Sequence, residues 1–331
     1  ADMRAAGHTT VADALESVPG VEIATTGSRF EPSTVRIRGS QSEQVVVLRD
    51  GRLVTGSRNM AVDLSRIPLS EVERIEIVRG AATALFGLTG AAGAINLISP
   101  VPEGPAGSAF EGFFSYGSLG QISGGAQFDY RYSRGWIRSS ATGTGAWNAY
   151  RYERAGESLH RENSGGYDGS LTLNGTHHLG GDSAGPNVEW HASGNSSERG
   201  LPGTVEFPTH AAMLTESGTA VGFTLGRHAS TGVSNALSAG VDARFDHRRF
   251  SDPDYPLGGL NAESSLWSVQ AKLELERPLE PGVVEKLIVS TPLEVRSEWL
   301  EDSELGDRVR LTAAAAPNVG ATVVTTATGS L

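Results

Sequence analysis

Beyond residue 105 apolar and polar positions alternate one by one through tract after tract. Phe128, Tyr130 and Tyr132 stand against Asp129, Arg131 and Ser133, and Val188, Trp190 and Ala192 against Glu189, His191 and Ser193. The same period recurs in Leu237, Ala239, Val241, Ala243 and Phe245, again in Trp267, Val269, Ala271, Leu273 and Leu275, and in Leu293, Val295 and Trp299. A period of two places successive side chains on opposite faces of a strand, so each tract predicts a strand with one apolar and one polar face. Two architectures satisfy this: a water-soluble sandwich or barrel with the apolar face inward, or a membrane barrel with it toward lipid. Several tracts reach the ~10 residues of a tilted membrane strand, whereas soluble strands run to about 5–6. Tyr116, Tyr132, Trp136, Trp147, Trp190, Trp267 and Trp299 fall near tract ends, which suits an interfacial girdle. Long polar connections (Arg151 to Gly166, Glu198 to Glu216, Ser251 to Ser265) among short turns suit the membrane barrel.

The first hundred residues have a different texture. Thr10 is positioned to cap a short helix over Val11 to Val18, which Pro19-Gly20 ends. Asp50-Gly51 between Val45–Arg49 and Arg52–Val54 predicts a two-residue hairpin, because both turn positions need positive φ. Pro68 to Val72 predicts one helical turn leading into a strand over Arg74–Arg79; Ala81 to Phe86 predicts another short helix and Ala94–Ile98 another strand. Pro100-Val101-Pro102-Glu103-Gly104-Pro105 cannot donate a regular ladder and is read as a linker. The expected domains are therefore 1–100 and 101–331.

Composition narrows the class. Of 331 residues 42 are Gly, none is Cys, and the net charge is -11. Residues 1–100 hold ten Arg, no Lys and eleven acids, and 101–331 carry most of the negative charge. With no basic stripe, nucleic acid is not an expected partner. Without cysteine there is no disulfide, Cys-ligated zinc or thiol nucleophile. No apolar run reaches the ~20 residues of a spanning helix. Gly87 to Gly93 lacks the pattern of a phosphate loop, no Gly-x-Ser-x-Gly elbow occurs, and His177 and His178 as strand neighbours point apart. The acids Glu298, Glu301, Asp302, Glu304 and Asp307 lack calcium-loop spacing. No catalytic residue, cofactor or metal is expected, and the chain is not read as an enzyme.

An ordered set of motifs adds a family resemblance. Val11–Leu15 with Val18–Val21, Arg36-Ile37-Arg38-Gly39, Val46–Gly51, Ile67–Gly80, and Ala84–Gly87 leading to Gly93–Ile98 together resemble the plug domain of TonB-dependent outer-membrane receptors across residues 1–100. Their order and spacing carry the resemblance; the remainder resembles the family by alternation, glycine and aromatic content, and loop rhythm. It implies an α/β plug followed by an all-β antiparallel transmembrane β-barrel of about 22 strands, in the outer membrane of a Gram-negative-type cell. It further implies uptake of a scarce large nutrient of the ferric siderophore or cobalamin class, with outer-membrane lipid around the barrel and energy from the TonB-ExbB-ExbD complex.

By the same resemblance the apical loops holding Ser28, Arg29 and Phe30, and Ser57, Arg58 and Asn59, meet a small-molecule metal chelate or vitamin. Arg38 and Arg79 match Arg-Gly positions and are expected to pair with barrel carboxylates through forked bonds. The Ser197–Gly203 segment is read as a loop. Only about nine or ten strands fit into residues 101–331, the family's energy-coupling box and first plug segment are expected before residue 1 and are not in this sequence, and no aromatic-ended final strand closes it. The expectation is a receptor truncated at both ends, whose two open edges would keep this piece from inserting alone. The alternative function is a non-transporting outer-membrane or soluble β-rich binding or signalling module.

Overall fold

The computed structural model describes residues 8–25, 33–54, 62–79, 92–180, 185–204, 206–227, 236–255, 259–280, 283–302, 308–315 and 318–325, the last three segments as backbone only.

Helix α1 (Val11–Glu16) starts at a capping box: the Thr10 hydroxyl accepts from the Asp13 amide at 3.2 Å, and the Asp13 carboxylate accepts from the Thr10 amide at 2.9 Å. It ends before the expected Val18, where the Ser17 hydroxyl donates to the Ala14 carbonyl and Gly20, at φ 77°, turns the chain into β1 (Val21–Thr25). β1 pairs antiparallel with β2 (Ser33–Ile37). β3 (Val45–Arg49) and β4 (Arg52–Leu53) form the expected hairpin, with Asp50 at φ 51° and Gly51 at φ 75°. A 3₁₀ turn at Leu69–Glu71 precedes β5 (Arg74–Arg79), and β6 (Gly93–Ile98) lies between β3 and β5, parallel to the first and antiparallel to the second. The expected helix at 81–86 lies outside the described residues. Val11, Leu15, Val35, Ile37, Val47, Leu64, Ile95 and Leu97 are fully buried and make one core. At Gly93 a Cβ would sit 2.9 Å from the Val78 carbonyl and from Ile37 Cδ1, so the Ile37 side chain of β2 packs closely on β6 there.

The wall begins at β7 (Gly107–Tyr116), β8 (Ile122–Tyr132) and β9 (Gly135–Ala146). A separate hairpin follows, β10 (Tyr150–Arg154) with β11 (Glu157–Arg161), inside what the sequence presents as a plain polar connection. Then come β12 (Gly166–His178), β13 (Asn187–Gly200), β14 (Met213–Arg227), β15 (Ala236–Asp252), β16 (Leu260–Glu280) and β17 (Val283–Asp302). β18 (Arg308–Ala315) and β19 (Asn318–Thr325) both pair with β17. Ala315 faces Leu293 and Asn318 faces Ser290, so the two continue one register and occupy one place in the sheet. Pro317, with no N–H to give, falls between them. The eleven strands thus fill ten places in one antiparallel, open sheet, matching the nine or ten expected.

The faces separate as the alternation requires. Phe110, Phe114, Phe223 and Trp267 stand exposed on one side, while Thr172, Ser197 and Arg199 are buried on the other. β13 continues to Gly200, so Ser197–Gly200 is strand and not the loop read from sequence: the alternation that turns His191 inward carries Arg199 inward too, where it finds carboxylates. Strands β14–β17 run 15–21 residues, longer than the ~10 a bilayer requires, so polar stretches such as Arg248-Arg249 belong to strand ends rather than loops.

Candidate functional site

Inward-facing residues of β12–β15 lie in cross-strand rows that explain how the wall meets the first hundred residues. One row reads Asp168, Ser197, Glu216, Arg248; the next, Ser170, Asn195, Gly218, Asp246; then Thr172, Ser193, Ala220, Arg244; then Asn174, His191, Gly222, Asp242. The first carries Asp168, Glu216 and Arg248 and the last carries Asp242; the middle two are small on β12–β14. Charged side chains reach the plug at both ends, and a cavity of about 330 Å³ is left beside the small ones. Its plug side includes Val54, Val62, Ile67 and Pro68.

At the first row a crossed ion quartet joins the two bodies. Arg66 of the plug donates to Glu216 of β14 at 3.1 Å, while Arg199 of β13 donates to Asp63 of the plug at 3.0 Å and to Glu216 at 2.9 Å. Arg248 stands 3.7 Å from Glu216. Asn195, its amide donating to the Gly218 carbonyl, accepts from Arg66 at 2.9 Å. Asp63 is oriented within the plug by the Ser33 amide at 3.0 Å and the Ser65 hydroxyl at 2.6 Å. Arg199 is 5% exposed, and losing one partner of so buried a set costs far more than losing a surface pair.

At the last row Arg52, placed by the Asp50-Gly51 turn, meets Asp242 at 3.2 Å and Thr224 at 3.3 Å. His191 approaches Asp242 at 3.4 Å across Gly222, where any Cβ would overlap both side chains. Gly222, opposite Asp242, and Glu216 are six residues apart on β14, so the two charged contacts are about 20 Å apart along the strand. Between them Glu71, 6% exposed, accepts from Arg49 at 2.9 Å and from the Ser170 hydroxyl of β12. The linker is held as well: Asp50 accepts from the Ser99 amide and hydroxyl at 2.8 and 2.7 Å, and Arg131 of β8 donates to the Pro102 carbonyl at 2.8 Å.

The residues proposed from sequence are placed as follows. Ser28, Arg29 and Phe30, and Ser57, Arg58 and Asn59, lie outside the described residues. Thr25 and Ser33, which bracket the first set, are a β1–β2 pair, and Val54 and Val62, which bracket the second, line the cavity. Arg38 sits in the turn after β2 at φ 52°, exposed, its amide donating to the Gly20 carbonyl. Arg79 closes β5 opposite Gly93, and its side chain is not among those described. The described plug–wall ion pairs belong to Arg52 and Arg66 of the plug and Arg199 of the wall. Carrying the inward parity of β13 from His191 to Arg199 would have found the last of these. The imidazole of His177 engages the Tyr132 hydroxyl at 2.9 Å, and no group of three metal-ligating side chains occurs among the described residues.

A polar-lined wall with an apolar outer face and a small α/β body on its inner face is the fold of plugged outer-membrane receptors. The family model "TonB-dependent Receptor Plug Domain" matches residues 1–94. The vitamin B12 transporter BtuB of Vibrio cholerae serotype O1 is 41% identical over 78 residues, 24% of this chain and 13% of the transporter. Among solved structures, the copper transporter OprC superposes with a TM-score of 0.74 at 16% identity, over 94% of this chain and 48% of its own. The ferric yersiniabactin uptake receptor FyuA of Yersinia pestis gives 0.61 at 15%, over 97% and 60%. The chain thus spans about half the length of these solved receptors, and its curated match covers a small part of the transporter. Residues 1–94 are thus similar to the plug of TonB-dependent receptors, and plug and wall together have the fold of the solved outer-membrane receptors. Among the described residues no helix is long and apolar enough to cross a membrane; crossing by strands is a separate matter.

Proposed function

We propose that this chain serves in the energy-coupled uptake of a ferric siderophore or cobalamin across the outer membrane, with residues 1–100 as plug and 101–331 as wall. The carrying observation is the seam itself, where among the described residues a self-contained plug core meets the wall through ion pairs, hydrogen bonds and a cavity. A filler that must shift to admit cargo is better held by such contacts than by apolar burial, whose loss costs about 25 cal/mol for each Å² re-exposed. In this reading the loops with Ser28, Arg29 and Phe30 and with Ser57, Arg58 and Asn59 meet the cargo, and the bracketing of the cavity by Val54 and Val62 favours the second loop. Arg38 and Arg79 are proposed to reach wall carboxylates outside the described residues. The TonB-ExbB-ExbD complex is the proposed energy source and outer-membrane lipid the surround of the apolar face.

The plug relative named as a vitamin B12 transporter and the fold neighbour named for ferric yersiniabactin support this cargo class. Copper is less well supported. A soft cuprous cargo calls for thiolate or thioether ligands, and residues 1–331 hold three Met and no Cys. The test is accumulation of labelled cyanocobalamin and of ⁵⁵Fe-loaded siderophores by cells expressing the full-length protein, with and without TonB. Uptake that disappears without TonB is expected; uptake of neither cargo, or uptake indifferent to TonB, would overturn the proposal.

A further inference from the structure

Each of the four described carboxylates at the seam has a partner on its own side. Asp63 keeps Ser33 and Ser65 within the plug, and Glu71 keeps Arg49. Asp242 keeps the charge of Lys272 beside it within the wall, and Glu216 keeps Arg199. Ser170, the wall donor to Glu71, is also bonded to Thr142 at 2.7 Å. If the plug withdrew, no carboxylate would be stranded without a counter-group. This removes the largest penalty in separating a buried ionic contact.

Glu216 has a further neighbour. Arg248 is its directly opposed residue on β15, shares its inward face, and stands 3.7 Å away with its side chain 46% exposed. In the docked state Arg66 at 3.1 Å and Arg199 at 2.9 Å share Oε2 of the carboxylate, while Arg248 stands back from Oε1. We propose that Arg248 is the stand-in for Arg66: it closes on Glu216 as the plug leaves, and so sets how readily the plug is released. Arg248 is thus a positioning residue that favours the released state. The inference rests on the reading of the first hundred residues as a movable plug.

The chain has no cysteine, so a dye on Glu16→Cys, exposed at the end of α1, reports the plug alone. All five tryptophans lie at or beyond Trp136 and report the wall. Urea titration of the full-length protein in outer-membrane vesicles then separates the two signals. Arg66→Gln is expected to lower the urea midpoint of plug release. Arg248→Gln is expected to raise it, with release about threefold slower, the size of a partly exposed ion pair. Arg248→Lys, which keeps the charge, is expected to stay at the wild-type midpoint. Loss or absence of any shift in Arg248→Gln, or a shift in the direction of Arg66→Gln, would overturn the inference. Coincident dye and tryptophan transitions in the wild type would overturn the movable-plug reading beneath it.

Discussion

The first hundred residues present two interfaces of opposite chemistry. Toward their own centre, Val11, Leu15, Ile37, Leu64, Ile95 and Leu97 are packed with almost no exposure, and no ion pair enters the cluster. Toward the wall, Arg52, Asp63, Arg66 and Glu71 meet Thr224, Asp242, Arg199, Glu216 and Ser170, with a cavity between the charged contacts. The first kind of contact resists any change of shape, because close-packed side chains tolerate little displacement. The second is directional, and its carboxylates are backed by partners on their own side, so it separates without stranding them. A body built this way can stay folded while its attachment is made and broken.

That contrast breaks most visibly in the core. Ile95→Ala is expected to destabilise the plug by about 4 kcal/mol, read as an earlier loss of plug signal with the wall intact. Arg199→Ala is expected to weaken plug docking by about 3 kcal/mol through loss of its buried bonds to Asp63 and Glu216, while the melting of a separately monitored plug core is unchanged. Gly222→Val forces His191 and Asp242 apart. A cost of about 2 kcal/mol to docking is expected, as for other overpacked sites, and Arg52→Gln in the same background should add little. The smallest effect belongs to α1. Burial pulls the Asp13 carboxyl upward, but the Thr9 and Thr10 donors outweigh it and hold the group below its ordinary value of 3.8. A depressed carboxyl stabilises the fold above its unfolded pKa and loses that contribution as pH falls through the folded one. Asp13→Ala should therefore cost about 1 kcal/mol at pH 7, and the gap from wild type should close in acid, measured by thermal melts across pH.

Much of the fold is legible in the sequence because short-range rules set it. Thr10 with Asp13, the Asp50-Gly51 turn and the alternation from Leu237 to Phe245 each act over a few residues and each appears in the structure. The seam is less legible, because its partners lie far apart along the chain: Asp63 and Arg199 are separated by 136 positions. Sequence indicates that plug arginines suit carboxylates, but not that a wall arginine answers a plug aspartate, since that depends on register between strands. Arg199 was also hidden by its setting, a polar Ser-Glu-Arg-Gly run that resembles loop until the inward parity of β13 is followed to its end.

The crossed quartet of Asp63, Arg66, Arg199 and Glu216 bonds plug to wall. A charge-swap cycle at Asp63→Arg and Arg199→Asp, followed by plug release in urea, tests it directly. Each single variant is expected to release its plug at markedly lower urea, and the double variant to recover most of the loss. Additive losses in the double variant, or wild-type release in both singles, would contradict it.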